Sequence, residues 1–158
     1  MILRNLLAAL TLFTFVTFGN ATTHSCDSIT GNDVIETAMK YLGRPYRYGT
    51  AGPKSFDCSG FTRFVFDAFN ISLSRDARVQ YKQGVSVDRN NLRVGDLVFF
   101  TSPRSGRAVG HVGIVSKVED DGNFYFVHAA RRGVIVDSFQ KATFYHGRYI
   151  GARRVLSD

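Results

Sequence analysis

Three residues stand where their side chains need a chemical explanation. Cys58 lies in Phe56-Asp57-Cys58-Ser59-Gly60-Phe61, His111 in Gly110-His111-Val112-Gly113-Ile114, and His128 in Phe126-Val127-His128-Ala129. A thiol beside two imidazoles can carry out acyl transfer. One imidazole takes the thiol proton and later gives it to a leaving amine, and the second orients the first through its other ring nitrogen. Read singly, each residue has a plainer account. A free cysteine is usually a small buried hydrophobe, and either histidine can be a core residue bonded to backbone. Taken together they favour the nucleophile reading. A metal site fits less well: one Cys and two His leave the ligand set short, and neither C-x-x-C nor H-E-x-x-H spacing occurs.

Such chemistry needs elements that bring the three residues together. Phe61, Phe64, Val65, Ala68 and Phe69 follow the i, i+3, i+4, i+7, i+8 series of a helix burying one face, predicted from Cys58 to about Asn70. Asp57 is its expected N-cap. Cys58 then falls in the first turn, where unpaired N–H groups and the helix dipole favour negative charge. Such positions lower a cysteine pKa from about 8.5 to about 3.5–7.5, so a thiolate near neutral pH is expected. Upstream, Asn32 can cap a helix from Asp33 to Leu42 that stops at Gly43, followed by a Gly/Pro loop over Thr50 to Ser55. Downstream, Ser74 can cap a shorter helix through about Gln83, ended at Gly84.

From Leu92 the period changes. Leu97 to Phe100, Val112 to Val118, Phe124 to Ala129, Val134 to Asp137 and Tyr149 to Val155 read as strands, with Asp120-Asp121-Gly122-Asn123 as a hairpin turn. In that hairpin His111 begins one strand and His128 lies near the end of the next, so they are neighbours across the ladder. The expected class is α+β, with N-terminal helices packed on a C-terminal antiparallel sheet. A Cys58 helix lying over that sheet would let the three side chains meet.

With 158 residues the chain has room for one domain with one real core, and it is rich in aromatics, with fourteen Phe and seven Tyr. Met1 to Ala21 reads as a secretory signal: Arg4, an apolar run from Leu6 to Phe18, then Gly19-Asn20-Ala21. Its unbroken apolar core is shorter than the ~20 residues a spanning helix needs. A lipid anchor at Cys26 is the rival, although Thr22-Thr23-His24-Ser25 lacks the leucine-and-small-residue pattern of such signals. The expectation is an exported protein of the periplasm or cell envelope, with a loose segment over residues 22–31 and one domain over 32–158. Two cysteines in such a compartment could pair. Pairing Cys26 with Cys58 would consume the thiol, so Cys58 is expected to be free. The formal charge is +7, and the leader accounts for only one Arg of it. Such charge holds a protein near polyanions such as wall polymers or anionic lipid. No basic helix, zinc spacing or regular aromatic–basic pattern points to nucleic acid.

Arg44-Pro45-Tyr46-Arg47-Tyr48-Gly49, Phe56 to Phe61, Leu92-Arg93-Val94-Gly95-Asp96-Leu97-Val98-Phe99-Phe100, Gly110 to Ile114 and Phe126 to Ala129 occur in this order. Together they resemble the NlpC family of papain-like cysteine peptidases of the bacterial cell wall, over roughly Val34 to Leu156. The resemblance implies a papain-like fold with Cys58, His111 and His128 as catalytic residues. It also implies that Tyr46 helps the oxyanion hole beside the Cys58 backbone N–H, and that Asp57 and Ser59 meet a substrate amine. A phenol O–H is a donor suited to developing negative charge, while a loop aromatic packed on the core accounts for Tyr46 equally well. Arg131 and Arg132 could face an anionic stem or solvent. Thr50 departs from the family, which usually has glycine there. The implied substrate is peptidoglycan stem peptide, cut between D-glutamate and a diamino acid such as meso-diaminopimelate, by a monomer without a cofactor. An amidase or acyltransferase on the same site, and a non-catalytic wall-binding module, are the alternatives.

Overall fold

The computed structural model describes residues 28–157; the proposed leader at Met1 to Ala21 and Cys26 lie outside the described residues. Helix α1 (Gly31–Met39) starts earlier than Asn32 predicts, because Thr30 and Asp33 form a reciprocal capping box. Asn32 therefore lies inside the first turn. The end of the segment expected to be loose, Thr30 and Gly31, belongs to the fold. Helix α2 (Cys58–Asp67) starts where Asp57 predicts, with the Asp57 carboxylate accepting from the Gly60 N–H. It stops before Asn70, which takes the left-handed conformation at φ 60°. The third helix shrinks to α3 (Ala77–Gln80), capped by Asp76 rather than Ser74.

The strands are β1 (Val85–Val87), β2 (Leu97–Thr101), β3 (Val109–Val118), β4 (Phe124–Ala130), β5 (Gly133–Ser138) and β6 (Tyr149–Arg154). They form one six-stranded sheet in the order β1-β6-β2-β3-β4-β5, and every pairing is antiparallel. The α+β expectation holds. Three small elements escaped the sequence pattern: β1, too short to show alternation, a 3₁₀ turn at Arg89–Asn91, and α4 (Thr143–His146), which has no side-chain cap.

Side chains alternate across a strand, and both faces of this sheet are buried. Leu97, Phe99, Val112, Ile114 and Val127 pack against α1 and α2 with Val34, Phe61 and Val65. Val98, Phe100, Val115, Phe124 and Phe126 face the other way, under Phe139 and Tyr145. This double burial explains why Leu97-Val98-Phe99-Phe100 is a continuous apolar run rather than an alternating one. Each fully buried side chain of this size contributes about 1.5–3 kcal/mol. The second face lets α4 and β5 approach the histidines.

Candidate active site

The Cys58 side is built locally. Phe56 is fully buried and its backbone pairs with the loop before it: its N–H donates to Pro45 O at 3.1 Å, and Arg47 N–H donates to its carbonyl at 2.9 Å. That pairing lays Tyr46 beside the start of α2. Gly60 permits the close approach, since a Cβ there would meet Thr50 O at 2.2 Å. Asp57, only 5% exposed, is saturated with donors. It accepts from Gly60 N–H and Gly49 N–H, each at 2.8 Å, from Ser59 Oγ at 3.5 Å, and from both terminal nitrogens of Arg75. Gln80, fully buried, ties α3 to this corner by donating to Ser59 O at 3.0 Å and accepting from Thr62 Oγ1 at 2.8 Å.

The imidazole side is built from distant strands. His111 pairs with Phe100 across β2 and β3, and His128 pairs with Ile135 across β4 and β5. Gly113 makes room between them: a Cβ there would lie 2.8 Å from the Phe126 ring and 3.1 Å from His128 Cβ. His111 Nε2 reaches His128 Nδ1 at 2.7 Å, and His128 Nε2 reaches Asp137 Oδ2 at 3.1 Å. Arg132 in turn donates to both Asp137 oxygens at 3.0 and 3.1 Å. Tyr145 of α4 stacks on the His111 ring, with its hydroxyl 3.5 Å from His128 Nδ1.

The two sides face one cleft, lined by Tyr46, Asp57, Cys58, Ser59, His111 and Tyr145 among others. The Cys58 sulfur sits beside the backbone N–H groups of Ser59 and Val112, the second being the neighbour of His111. Among the described residues, the thiol and the His111 ring share no hydrogen bond. Catalytic hydrogen bonds are often long in a free enzyme and tighten in the substrate complex.

The expected thiolate is corrected. Burial pushes the Cys58 thiol up to about 11, with the Asp57 charge adding to it, against the pull of the Ser59 and Val112 N–H groups. Burial likewise pushes His111 down to about 3, helped by His128 and opposed by Asp137. Both groups are therefore neutral in this structure. His128 is also lowered by burial, in spite of Asp137. Asp137 is lowered, first by its bond to His128, so it is a carboxylate at neutral pH. Burial raises Tyr46, with Arg104 opposing, so its phenol keeps a donor proton.

The structure thus brings Tyr46, Asp57, Cys58, Ser59 and His111 to one cleft, with His128 fully buried against the His111 ring. Arg132, which also lines the cleft and is largely exposed, pairs with Asp137. Arg131 is exposed on the cleft rim, as are Arg104 and Lys141. Sequence reasoning missed Asp137, Arg75, Gln80 and Tyr145. Asp137 had one available signal, a charge at the end of an apolar strand two positions from the central apolar residue Ile135. Cys58 is a free thiol. Among the described residues, no group of three or more His, Cys, Asp or Glu could hold a metal ion.

Comparison with known proteins agrees with this architecture. The chain is 38% identical over 125 residues to the murein DD-endopeptidase MepS/murein LD-carboxypeptidase of Escherichia coli K12, covering 78% of this chain and 62% of that one. It is 35% identical over 125 residues to the gamma-D-glutamyl-L-lysine dipeptidyl-peptidase of Bacillus cereus, covering 79% of this chain and 36% of the relative. The chain therefore spans less than two thirds of either relative. A crystal structure of an NlpC/P60 family protein from Bacillus cereus superposes with a TM-score of 0.72 at 34% identity, over 82% of this chain and 41% of the other. Residues 43–154 match the NlpC/P60 family model, and with most of its length so accounted for, the chain belongs to the NlpC/P60 family.

Proposed function

We propose that this protein is an exported cysteine peptidase that hydrolyses peptidoglycan stem peptides. The observation that carries the reading is the nitrogen ladder behind the cleft. His111 Nε2 is taken by His128 at 2.7 Å, which leaves His111 Nδ1 as the nitrogen for the thiol. Cys58 Sγ–H gives its proton to His111 Nδ1 as sulfur attacks the carbonyl carbon, and the C=O electron pair moves onto oxygen. The Cys58 backbone N–H and the Tyr46 hydroxyl stabilise that oxyanion. The C–N bond breaks, His111 returns the proton to the leaving amine, and a thioester remains. Water attacks it with His111 again as base; the C–S bond breaks and the thiol is restored. Asp57 and Ser59 form the substrate wall next to the nucleophile.

The bond we assign is that between D-glutamate and the diamino acid. Every carboxylate lining the cleft is engaged: Asp57 by Arg75, Asp137 by His128 and Arg132, and Asp76 by the Arg78 N–H. Arg104, Arg131 and Lys141 stand on the rim, suited to the carboxylates beside a γ-linked glutamate. The name of the Bacillus cereus relative points to the same kind of bond, and that of the Escherichia coli relative to a cross-link. Purified sacculi digested with wild-type protein and with Cys58→Ala test both levels. Wild type is expected to release fragments cut after D-glutamate, and the variant none. Cross-link opening alone would overturn the bond assignment, and whole stems freed from bare glycan would make it an amidase. Identical patterns from both proteins would leave a wall-binding module.

A further inference from the structure

We propose that Asp137, clamped by Arg132, is a positioning residue that fixes the proton arrangement of both histidines and so keeps the cleft-facing nitrogen of His111 basic. The argument is one of donors and acceptors, and it rests on the peptidase reading only for its consequence. A neutral imidazole has one N–H and one lone pair. His128 Nε2 faces a carboxylate oxygen at 3.1 Å, which can only accept, so the His128 proton is on Nε2. His128 Nδ1 is then a lone pair and accepts from His111 Nε2–H at 2.7 Å. With its proton on Nε2, His111 has its lone pair on Nδ1. Tyr145 is compatible, because its hydroxyl, 3.5 Å from His128 Nδ1, is itself a donor.

Without the carboxylate the ladder can run the other way. A proton on His128 Nδ1 would donate to His111 Nε2, leave the His111 proton on Nδ1, and present the thiol with a group that cannot accept. The carboxylate also stabilises the imidazolium that forms when the thiol proton arrives, as a buried aspartate does behind a catalytic histidine in other hydrolases. Arg132 holds both Asp137 oxygens from an exposed position, with 71% of its side chain accessible, so its share is smaller. The groups facing the ladder are Asp137 and Arg132 from β5 and the turn before it, and Tyr145 from α4, which itself lies near Cys58 of α2.

The test reads protons directly. Imidazole ¹⁵N spectra of the whole protein at neutral pH are expected to show N–H at Nε2 of both His111 and His128. A His128 proton on Nδ1 in the wild type overturns the proposal, whatever the variants do. Asp137→Asn is expected to add an Nδ1–H form of His111 and to lower kcat on stem peptide about 100-fold with KM nearly unchanged. Arg132→Gln is expected to lower kcat by less than about tenfold. A folded Asp137→Asn with wild-type proton positions and wild-type kcat also overturns it. Wild-type protein with both protons on Nε2 but inert toward every stem peptide would refute the peptidase reading and leave the proton ladder standing.

Discussion

The two walls of the cleft are built in opposite ways. The helix wall is contiguous in sequence: Asp57 caps α2, Cys58 is its first residue, and Ser59 follows. Its charges are settled within the wall, since Arg75 meets the Asp57 carboxylate with both terminal nitrogens. The sheet wall draws His111 from β3, His128 from β4, Arg132 from the following turn and Asp137 from β5. Its charged end, Asp137 with Arg132, backs onto His128, which in turn meets His111. The difference separates placement from reactivity. Local capping places the sulfur, whereas the histidines and Asp137 meet only through strand pairing.

The comparison can be broken most sharply at the nucleophile. Cys58→Ala is expected to lower turnover of stem peptide by about 10⁴-fold or more, with the melting temperature little changed. Residual turnover within tenfold of wild type would remove Cys58 from the chemistry. His111→Gln is expected to lose about 10³- to 10⁴-fold, and the double variant with Cys58→Ala no more than the larger single loss, because the pair acts as a unit. Additive losses would mean that the walls work independently.

Arg75→Gln sharpens the structural half of the contrast. It leaves the buried Asp57 short of donors, at an expected cost of about 1–3 kcal/mol, measured as a lower denaturation midpoint. Turnover should fall less than in either active-site variant. An unchanged midpoint would show that the helix wall does not depend on this ion pair.

The smallest effects concern pH. With His111 held near 3, its base form persists into mild acid, so kcat should stay level from pH 7 to pH 5, where an ordinary imidazole of about 6.5 would be mostly protonated. A fall centred on pH 6.5 would contradict a neutral resting pair. Stability should move differently. The unfolded chain binds protons at its histidines below about pH 6.5, while the folded chain resists until lower pH. The stabilisation is therefore fully present above pH 6.5 and is lost as pH falls. Thermal midpoints at pH 7 and pH 5 check the sign.

The amino-acid pattern alone determined the parts that depend on near neighbours. Asp57, Cys58 and the apolar period after them define the start of α2. The apolar runs and turn residues from Val112 to Ala129 define the hairpin that makes His111 and His128 neighbours. Even here Thr30 displaced Asn32 as the cap of α1, because a reciprocal bond to Asp33 outweighs a cap with no such partner. Only the tertiary structure decided what the site's groups do with their protons. Burial where α2 packs on the sheet outweighs the helix-start effect on Cys58, and the register of β4 against β5 brings Asp137 to His128. Desolvation and strand register depend on the whole packed chain, so no window of sequence around the histidines contains them.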